Sequence, residues 1–364
     1  MNKREIYIET NKFDDTFSGS FIYNNTDNEF FKKVEIDLDE LCAKYLLEEF
    51  DDRSPVGTYK QFPALNYLLT NIVEFKFKGG HPGTNKDARR ENSRVLGQTI
   101  CRYFVEKTFG NTFMANVGTL LGRKLPDEFS NITIKRKEDG DTPDFLFMDN
   151  QNKPCLAEAK GRRIAVPFGD EKFEGWRKQF ERVEVEINGK ATEVKGYITE
   201  LAIANEDNKM VNSILYIEDP TLEGGQYRQG NLEKLIKFAH YERLLSNTFL
   251  NFVGNSLLSE DKLSKSKTYW VDIYRISGIN SIEDEEIVSL STFDEFRFPY
   301  PSNYKFVGIT LRTLKSLLYI AKGERSESVT EVNYENFNSV FFRFPDGFVV
   351  CNANLLEYVE RRRI

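Results

Sequence analysis

The sequence is poor in histidine, and this scarcity excludes several kinds of site. Its two histidines, His81 and His240, lie far apart in the chain, which disfavours metal chemistry built on clustered imidazole ligands. We expect each of them to be a surface or partly packed side chain. Gly79, Gly80 and Gly83 mark a break in the chain, but no Gly-Lys-Ser/Thr of a phosphate-binding loop accompanies them.

Cysteine is also scarce, and its spacing fits neither a zinc site nor a disulfide framework. The four cysteines are widely separated and form no CxxC pair, a pattern that fits a reducing compartment. No stretch approaches the ~20 apolar residues of a membrane span. The opening segment Met1–Glu5 has no apolar core, so we expect no signal peptide. We therefore predict a cytoplasmic protein with no membrane partner.

An excess of positive charge is missing as well. The net charge of −7 counts against a protein that coats nucleic acid non-specifically. Bulk charge hides local patches, however, and four basic clusters occur. They are Lys86 with Arg89 and Arg90, Lys135–Lys137, Lys160 with Arg162 and Arg163, and Arg361–Arg363.

Most of the chemical information lies in one stretch, TPDFLFMDNQNKPCLAEAKGRR. Phe145–Met148 is apolar and strand-like, and Asp149–Asn152 has the composition of a turn. Pro154–Ala157 then begins a second extended apolar run. The pattern predicts two adjacent strands of a β-hairpin.

Three charged side chains mark one end of this hairpin. Asp144 starts the first strand and Glu158 ends the second, so two carboxylates meet there. Glu158 and Lys160 are two positions apart, and such side chains on a strand point to the same face. We predict that two carboxylates and a lysine converge on one spot; the alternative is a surface hairpin with solvated charges.

The predicted trio suits a hard cation and a phosphate. Carboxylate ligands with few imidazoles favour Mg²⁺, for which Mn²⁺ can substitute. Such an ion can polarise a phosphodiester oxygen and lower the pKa of a bound water. Lys160 would hold or deprotonate the attacking water, or stabilise charge on the phosphate.

Two parts of this stretch are Pro143-Asp144 and Glu158-Ala159-Lys160, and their acids are 158 − 144 = 14 positions apart. This arrangement resembles the motif of the PD-(D/E)XK nuclease superfamily. This superfamily includes most restriction-endonuclease-like enzymes. The resemblance covers roughly residues 87–204, and it implies an α/β fold with a restriction-endonuclease-like αβββαβ core and a mixed central sheet. It also implies that Asp144 and Glu158 hold the metal and that Lys160 is catalytic.

A helix precedes the first core strands in this superfamily, and it often carries a glutamate near the site. The apolar periodicity predicts a helix over Asp87–Phe109. Glu91 is our candidate for a catalytic and metal-binding residue on it. Asn92 is better centred on the apolar side of the helix, and Glu106 is a competitor further along.

Three further residues are candidates for nucleic-acid binding. Arg162 and Arg163 follow the motif and would meet the phosphate backbone. Gln179, on a helix predicted over Glu171–Arg182, matches a glutamine that some families of the superfamily carry. In some of them a tyrosine follows four positions later, where this chain has Val183.

The remaining core strands are predicted from apolar runs. The first is residues 113–121 or, alternatively, 132–135. Residues 183–190 alternate strictly and turn at Asn-Gly, which indicates an inserted hairpin. Residues 196–204 form the last core strand. The resulting order of helix, three strands, helix and strand is the one that the resemblance implies.

A chain of 364 residues is long enough for about two domains. We predict a mixed or β-rich region over 1–80, which would dock a partner, recognise substrate or only pack against the core. The nuclease core would occupy 81–230. A C-terminal α/β region would fill 231–364 and close with a short helix over 355–363.

The residues predict Mg²⁺-dependent hydrolysis of phosphodiester bonds. The resemblance implies a DNA endonuclease of a restriction or anti-phage defence system, with RNA as an open alternative substrate. One rival is a non-catalytic interaction subunit on a nuclease fold. Another is a transposon or repair nuclease subunit that works with an ATPase or recombinase. The acidic total favours either a guarded site or a protein partner, such as an ATPase or a second nuclease protomer.

Overall fold

Helices and strands alternate along the computed structural model, which describes residues 3–12, 32–51, 69–80, 85–220, 230–277, 285–290, 305–324, 329, 333–337 and 340–364. The chain divides into two units. The first contains Met1–Glu49 and Gly57–Lys237, and the second contains Phe50–Val56 and Phe238–Ile364. The described residues therefore form a mixed α/β protein, as predicted.

The α-helices are α1 (Leu38–Asp51), α2 (Lys86–Phe109), α3 (Val117–Leu120), α4 (Glu171–Glu181), α5 (Gly230–Ser246), α6 (Asn251–Leu257) and α7 (Leu311–Ala321). The strands of the first unit are β1 (Lys3–Asn11), β2 (Lys32–Asp37), β3 (Lys76–Phe77), β4 (Ala115–Asn116), β5 (Ile132–Arg136), β6 (Phe145–Met148), β7 (Pro154–Arg162), β8 (Val183–Ile187), β9 (Lys190–Thr192), β10 (Lys195–Ala202), β11 (Ala204–Asn205) and β12 (Ile214–Glu218). Those of the second unit are β13 (Trp270–Ile276), β14 (Ile287–Ser289), β15 (Lys305–Thr310), β16 (Glu335–Phe337), β17 (Phe341–Arg343), β18 (Phe348–Asn352) and β19 (Leu356–Arg363).

The first unit is organised around a mixed seven-stranded sheet in the order β2-β1-β12-β10-β7-β6-β4. The predicted hairpin is present as the antiparallel pair β6 and β7, and β10 runs parallel to β7 on its other side. Along the chain the elements follow the order α2, β4, β6, β7, α4 and β10. Other elements lie between them: α3 and β5 between β4 and β6, and β8 and β9 between α4 and β10.

Of the two alternatives for the first core strand, the structure selects the one within residues 113–121. β4 pairs with β6 in the central sheet. β5 instead joins β8 and β9 in a separate three-stranded sheet. The inserted hairpin is confirmed, because β8 and β9 are antiparallel and turn at Asn188 and Gly189, which both have positive φ.

The structure divides the chain differently from the predicted regions 1–80, 81–230 and 231–364. β1 and β2 extend the same sheet that carries the motif strands, since β1 pairs in parallel with β12. Their alternate side chains, among them Ile6 and Val34, are fully buried in the core shared with α2. These strands therefore pack against the core, which is one of the alternatives that the sequence left open for this region.

Helix α2 packs across the central sheet with the predicted apolar side buried. Its five predicted apolar positions are all buried: Val95, Leu96, Ile100, Tyr103 and Phe104. The side chain of Asn85 caps the first turn by accepting a hydrogen bond from the Ala88 N–H at 2.8 Å. Gly110, with φ of 65°, ends the helix where the sequence predicted its termination.

Two glycines bring the backbone of α2 directly against the backbone of β7. A Cβ atom at Gly97 would lie 2.7 Å from the carbonyl carbon of Lys160, and one at Gly161 would overlap the carbonyl oxygen of Ser93. Since real Cβ atoms do not approach so closely, only glycine fits at these two positions. The contact fixes the helix beside the residue that follows Lys160.

The second unit contains an antiparallel seven-stranded sheet in the order β16-β17-β18-β15-β14-β13-β19. The predicted helix over 355–363 is wrong, since Leu356–Arg363 forms the edge strand β19 paired with β13. The apolar residues Leu356 and Val359 stand at helical spacing, but pairing with β13 satisfies the backbone groups of this segment as a strand.

His240 departs from the expectation of a surface or partly packed side chain. It is buried, and its Nε2 lies 2.9 Å from Oδ2 of the equally buried Asp346. His81 lies outside the described residues. All four cysteines are buried free thiols. Within the described ranges, no helix combines the length and apolar character that crossing a membrane requires.

We predict that Gly161→Ala destabilises the protein by about 1–3 kcal/mol, because the added methyl group forces α2 away from β7. Gly175→Ala is the matched control: a Cβ there meets nothing within 4 Å, and alanine favours a helix by up to ~1 kcal/mol over glycine. Thermal unfolding of both variants measures the difference. An unchanged melting temperature for Gly161→Ala would contradict the backbone contact.

Candidate active site

The turn of the motif hairpin sets the register of its two strands. The carboxylate of Asp149 accepts hydrogen bonds from the backbone N–H groups of Gln151 and Lys153, both at 2.8 Å. Asn152 takes a positive φ of 59° to close the turn, a conformation that asparagine tolerates. The resulting pairing places Phe145 opposite Ala157, and therefore sets Asp144 beside Glu158.

Asp144 lies at the open end of the hairpin, opposite the turn, and strand β7 holds it there. Its Oδ2 accepts a hydrogen bond from the backbone N–H of Ala159 at 2.8 Å. Its Oδ1 faces helix α2, where Nε2 of Gln98 lies 3.4 Å away. The aspartate therefore has a defined orientation set by β7 and α2.

Glu158 is fully buried, with 1% of its side chain exposed, and it forms an ion pair with Lys160. Burial raises the pKa of Glu158 well above its ordinary value, and the negative charge of Asp144 raises it further. The positive charge of Lys160 lowers the pKa of Glu158. The predicted convergence of the two acids and the lysine is therefore present in the structure.

Lys160 is about one quarter exposed, and its pKa is raised. Burial alone would lower that pKa, but the carboxylates of Glu158 and Asp144 together outweigh it. The lysine is thus held in its charged form, with an exposed side facing out of the hairpin.

Glu91 does not join this group. It is half exposed, and its carboxylate pairs with Arg94 at 2.7 Å on the same helix. Within the described part of the chain its contacts run to Arg94 and not to Asp144 or Glu158. The competitor Glu106 is paired with Lys44 of α1 at 2.6 Å.

The residue of α2 that reaches the site is Gln98, which sequence reasoning missed. Arg94 Nη1 donates to Oε1 of Gln98 at 2.9 Å, and this orients the Gln98 amide toward Asp144. Hydrogen bonds of Arg94 and Gln98 therefore link Glu91 to Asp144. At ~100° per residue Gln98 lies about 60° outside the apolar stripe that begins at Val95, on the same side as Glu91, so the helical spacing did not distinguish it.

The three candidate nucleic-acid contacts lie in different surroundings. Gln179 is buried, with 3% of its surface exposed, so it presents no surface to a nucleic acid in this structure. The guanidinium of Arg162 lies 5.0 Å from the ring of Trp176 in a cation–π contact. Arg163 is exposed, as the prediction requires.

Glu200 is a second buried acid that sequence reasoning missed. It lies on β10 directly across from Lys160 in the parallel pairing, and so on the same face of the sheet. Its Oε1 accepts a hydrogen bond from the Val166 N–H at 3.1 Å, whereas Oε2 is buried with no hydrogen-bond partner among the described residues. Burial raises the pKa of Glu200 to about 8, and Arg162 partly offsets this shift.

The donor set for a metal ion is small. Among the described residues, no group of three or more histidine, cysteine or acidic side chains is arranged to hold a metal ion. The available carboxylates are the pair Asp144 and Glu158. Oε1 of Glu158 is ion-paired with Lys160, whereas Oε2 is buried with no hydrogen-bond partner among the described residues, which leaves Oε2 able to bind a cation.

Comparisons with known proteins do not extend these observations. No family model matches the sequence, and no curated protein and no solved structure matches it. The function proposed below therefore depends on the chemistry and placement of these residues and on the resemblance of the motif.

We predict that Glu200 makes the protein less stable as the pH rises. Because its folded pKa of about 8 lies above its ordinary 4.5, the folded state binds the proton more tightly than the unfolded chain. Its stabilising contribution is complete below about pH 4.5 and is lost as the pH rises through about 8. Glu200→Gln keeps the neutral shape and cannot titrate.

The free energy of unfolding should therefore fall less between about pH 5 and pH 9 in Glu200→Gln than in the native protein. The difference should be on the order of a few kcal/mol. Urea unfolding at the two pH values measures it. An equal fall in both proteins would show that Glu200 does not titrate in this range.

Proposed function

We propose that this chain is a Mg²⁺-dependent nuclease with a restriction-endonuclease-like core, which hydrolyses phosphodiester bonds. The observation that carries the proposal is the group of Asp144, Glu158 and Lys160 at one end of the hairpin of β6 and β7. Burying acids beside a lysine lowers stability. Such groups with perturbed pKa values cluster at functional sites. The order of α2, β4, β6, β7, α4 and β10 supports the same core.

The two carboxylates fit a divalent cation. Asp144 has one oxygen committed to the Ala159 N–H, and Glu158 has one oxygen paired with Lys160 and a second buried oxygen without a hydrogen-bond partner among the described residues. When bound there, Mg²⁺ would polarise a phosphate oxygen and lower the pKa of a water. The cation would also offset the repulsion between the two acids, which otherwise raises the pKa of Glu158.

The residues of the chain have separate parts in this mechanism. Gln98 and the Ala159 N–H orient Asp144, and the partner strand fixes Glu158 beside it. Lys160 stays protonated because both acids favour its charge. A charged lysine stabilises the negative charge that develops on the phosphate, so we favour this part for Lys160 over that of a general base.

The substrate and setting follow from the resemblance. Most members of the superfamily act on DNA, so DNA is the proposed substrate. RNA is the alternative substrate and is tested in the same assay. Restriction or anti-phage defence is the proposed setting, with an ATPase or a second nuclease protomer as the partner. The intact trio argues against the rival of a non-catalytic subunit, since a site that has lost its activity has no need to keep a lysine between two acids.

We predict that Lys160→Ala abolishes cleavage and leaves the melting temperature nearly unchanged. The loss of the lysine charge removes stabilisation of the transition state, while Glu158 can accept a proton in place of the ion pair. Lys178→Ala is the matched control, because Lys178 is an exposed lysine paired with Glu174 at 3.0 Å. Cleavage of plasmid, single-stranded DNA and RNA is measured with Mg²⁺.

If Lys160→Ala cleaves at the native rate, the proposed mechanism is wrong. If the variant unfolds, the lysine is structural. Lys160→Arg should also be inactive, since the planar guanidinium is bulkier and differs in geometry from an ammonium group.

We also predict that Mg²⁺ or Mn²⁺ raises the melting temperature through Asp144 and Glu158. A ligand present at 100 times its dissociation constant stabilises the folded state by about 2.7 kcal/mol. Glu158→Gln and Asp144→Asn should remove the shift, because each loses a charged oxygen donor. Glu174→Gln, at an exposed acid, should retain it. A shift of the same size in all variants would place the cation elsewhere.

A further inference from the structure

Two large aromatic side chains are exposed on neighbouring strands of the second unit. Trp270 on β13 is 58% exposed and Tyr358 on β19 is 50% exposed. An aromatic ring usually buries most of its area in a core. Exposed rings that lie on paired strands therefore mark a candidate binding surface.

The strand register places both rings on one face of the sheet. Trp270, Asp272 and Tyr274 alternate along β13 and share that face. Their partners on β19 are Arg363, Arg361 and Tyr358. We call the surface formed by Trp270, Tyr358, Arg361 and Arg363 the aromatic–arginine face.

A bulge is responsible for the position of Tyr358. Ile273 pairs with Glu360, but the next residue, Tyr274, pairs with Tyr358, so Val359 is an extra residue in β19. Without this bulge Tyr358 would lie opposite Arg275 on the other face. The bulge thus returns Tyr358 to the face of Trp270, about 13 Å along the strand.

The charges on this face favour an anion. Arg361 and Arg363 are exposed, and Asp272 is the one acid that the register places between the two rings. Nε of Arg363 donates to the hydroxyl of Thr268, which fixes the guanidinium beside Trp270. Arg362 points to the opposite face and is bound to Glu286. Among the described residues of β13 and β19, the face therefore carries two arginines against one carboxylate.

We propose that the aromatic–arginine face binds single-stranded nucleic acid, with bases stacked on Trp270 and Tyr358 and phosphates at Arg361 and Arg363. Exposed aromatic rings on a sheet stack unpaired bases, and arginines neutralise the backbone. A duplex already stacks its bases on one another, so it offers no planes to these rings. An acidic peptide would use the arginines but leave both rings without a stacking partner.

This site is distinct from the acids and lysine of the first unit. Binding needs neither a metal ion nor cleavage, so it can be measured in EDTA. The chain has two tryptophans, and Trp176 is buried with 5% exposure. A base that stacks on Trp270 should therefore quench the exposed fraction of the tryptophan fluorescence.

The test is a titration of the full chain in EDTA with oligo(dT), oligo(U) and a DNA duplex of equal length. Tryptophan fluorescence and the anisotropy of a labelled oligonucleotide are followed together. We expect quenching and binding with a single strand, DNA or RNA, and weaker binding with the duplex. Trp270→Ala and Tyr358→Ala should each weaken anisotropy-detected binding about ten-fold or more.

Arg361→Ala with Arg363→Ala should reduce the magnitude of the slope of log affinity against log salt concentration by about 1.4, since each phosphate contact on a single strand contributes about 0.7. The controls lie on α7: Tyr319→Ala removes an aromatic ring with 52% exposure, and Lys315→Ala removes an exposed cation. Both should bind as the native chain does.

Native affinity in Trp270→Ala and Tyr358→Ala would overturn the proposal, as would equal losses in the α7 controls. Duplex binding as tight as single-strand binding, without quenching, would also overturn it. Displacement of the oligonucleotide by poly-glutamate at equal charge would show a purely electrostatic surface and so reject base stacking.

Discussion

The structure of the first unit depends on a backbone-to-backbone contact between helix α2 and strand β7. Gly97 and Gly161 lack side chains where the backbones of α2 and β7 meet. The helix therefore lies closer to the strand than it could with any other residue type at these two positions. This contact fixes two parts of the candidate site at once. It holds Gln98 within reach of Asp144, and it sets the backbone immediately after Lys160.

Near that contact, the sheet buries charged side chains that lower the stability of the fold. Glu158 is buried beside a second acid, and Glu200 is buried across from Lys160. Burying such groups disfavours their charged forms, and this is visible as raised pKa values at both glutamates. Groups that lower stability without contributing to packing are typical of functional sites. The surrounding core, from β1 and β2 to α2, provides the stability that tolerates them.

The second unit uses a different constraint. Its antiparallel sheet buries apolar side chains such as Ile273 and Ile276, and the same β13 strand exposes Trp270 at one end. One extra residue in β19 decides which side chains of the edge strand share the face of Trp270. A one-residue change in register exchanges the faces of a strand, so the proposed surface depends on a single bulge.

Local sequence determined the motif hairpin, α2, α4 and the inserted hairpin of β8 and β9, because turn residues and apolar periodicity act over short distances. It also determined that Asp144, Glu158 and Lys160 meet, since a hairpin register and a two-residue spacing suffice. Only the tertiary structure decided the contacts made across long sequence separations. Gln98, and not Glu91, reaches Asp144 because of how α2 sits on β7. Residues 356–363 become a strand because β13 offers an edge, and His240 is buried because Asp346, 106 residues away, can pair with it.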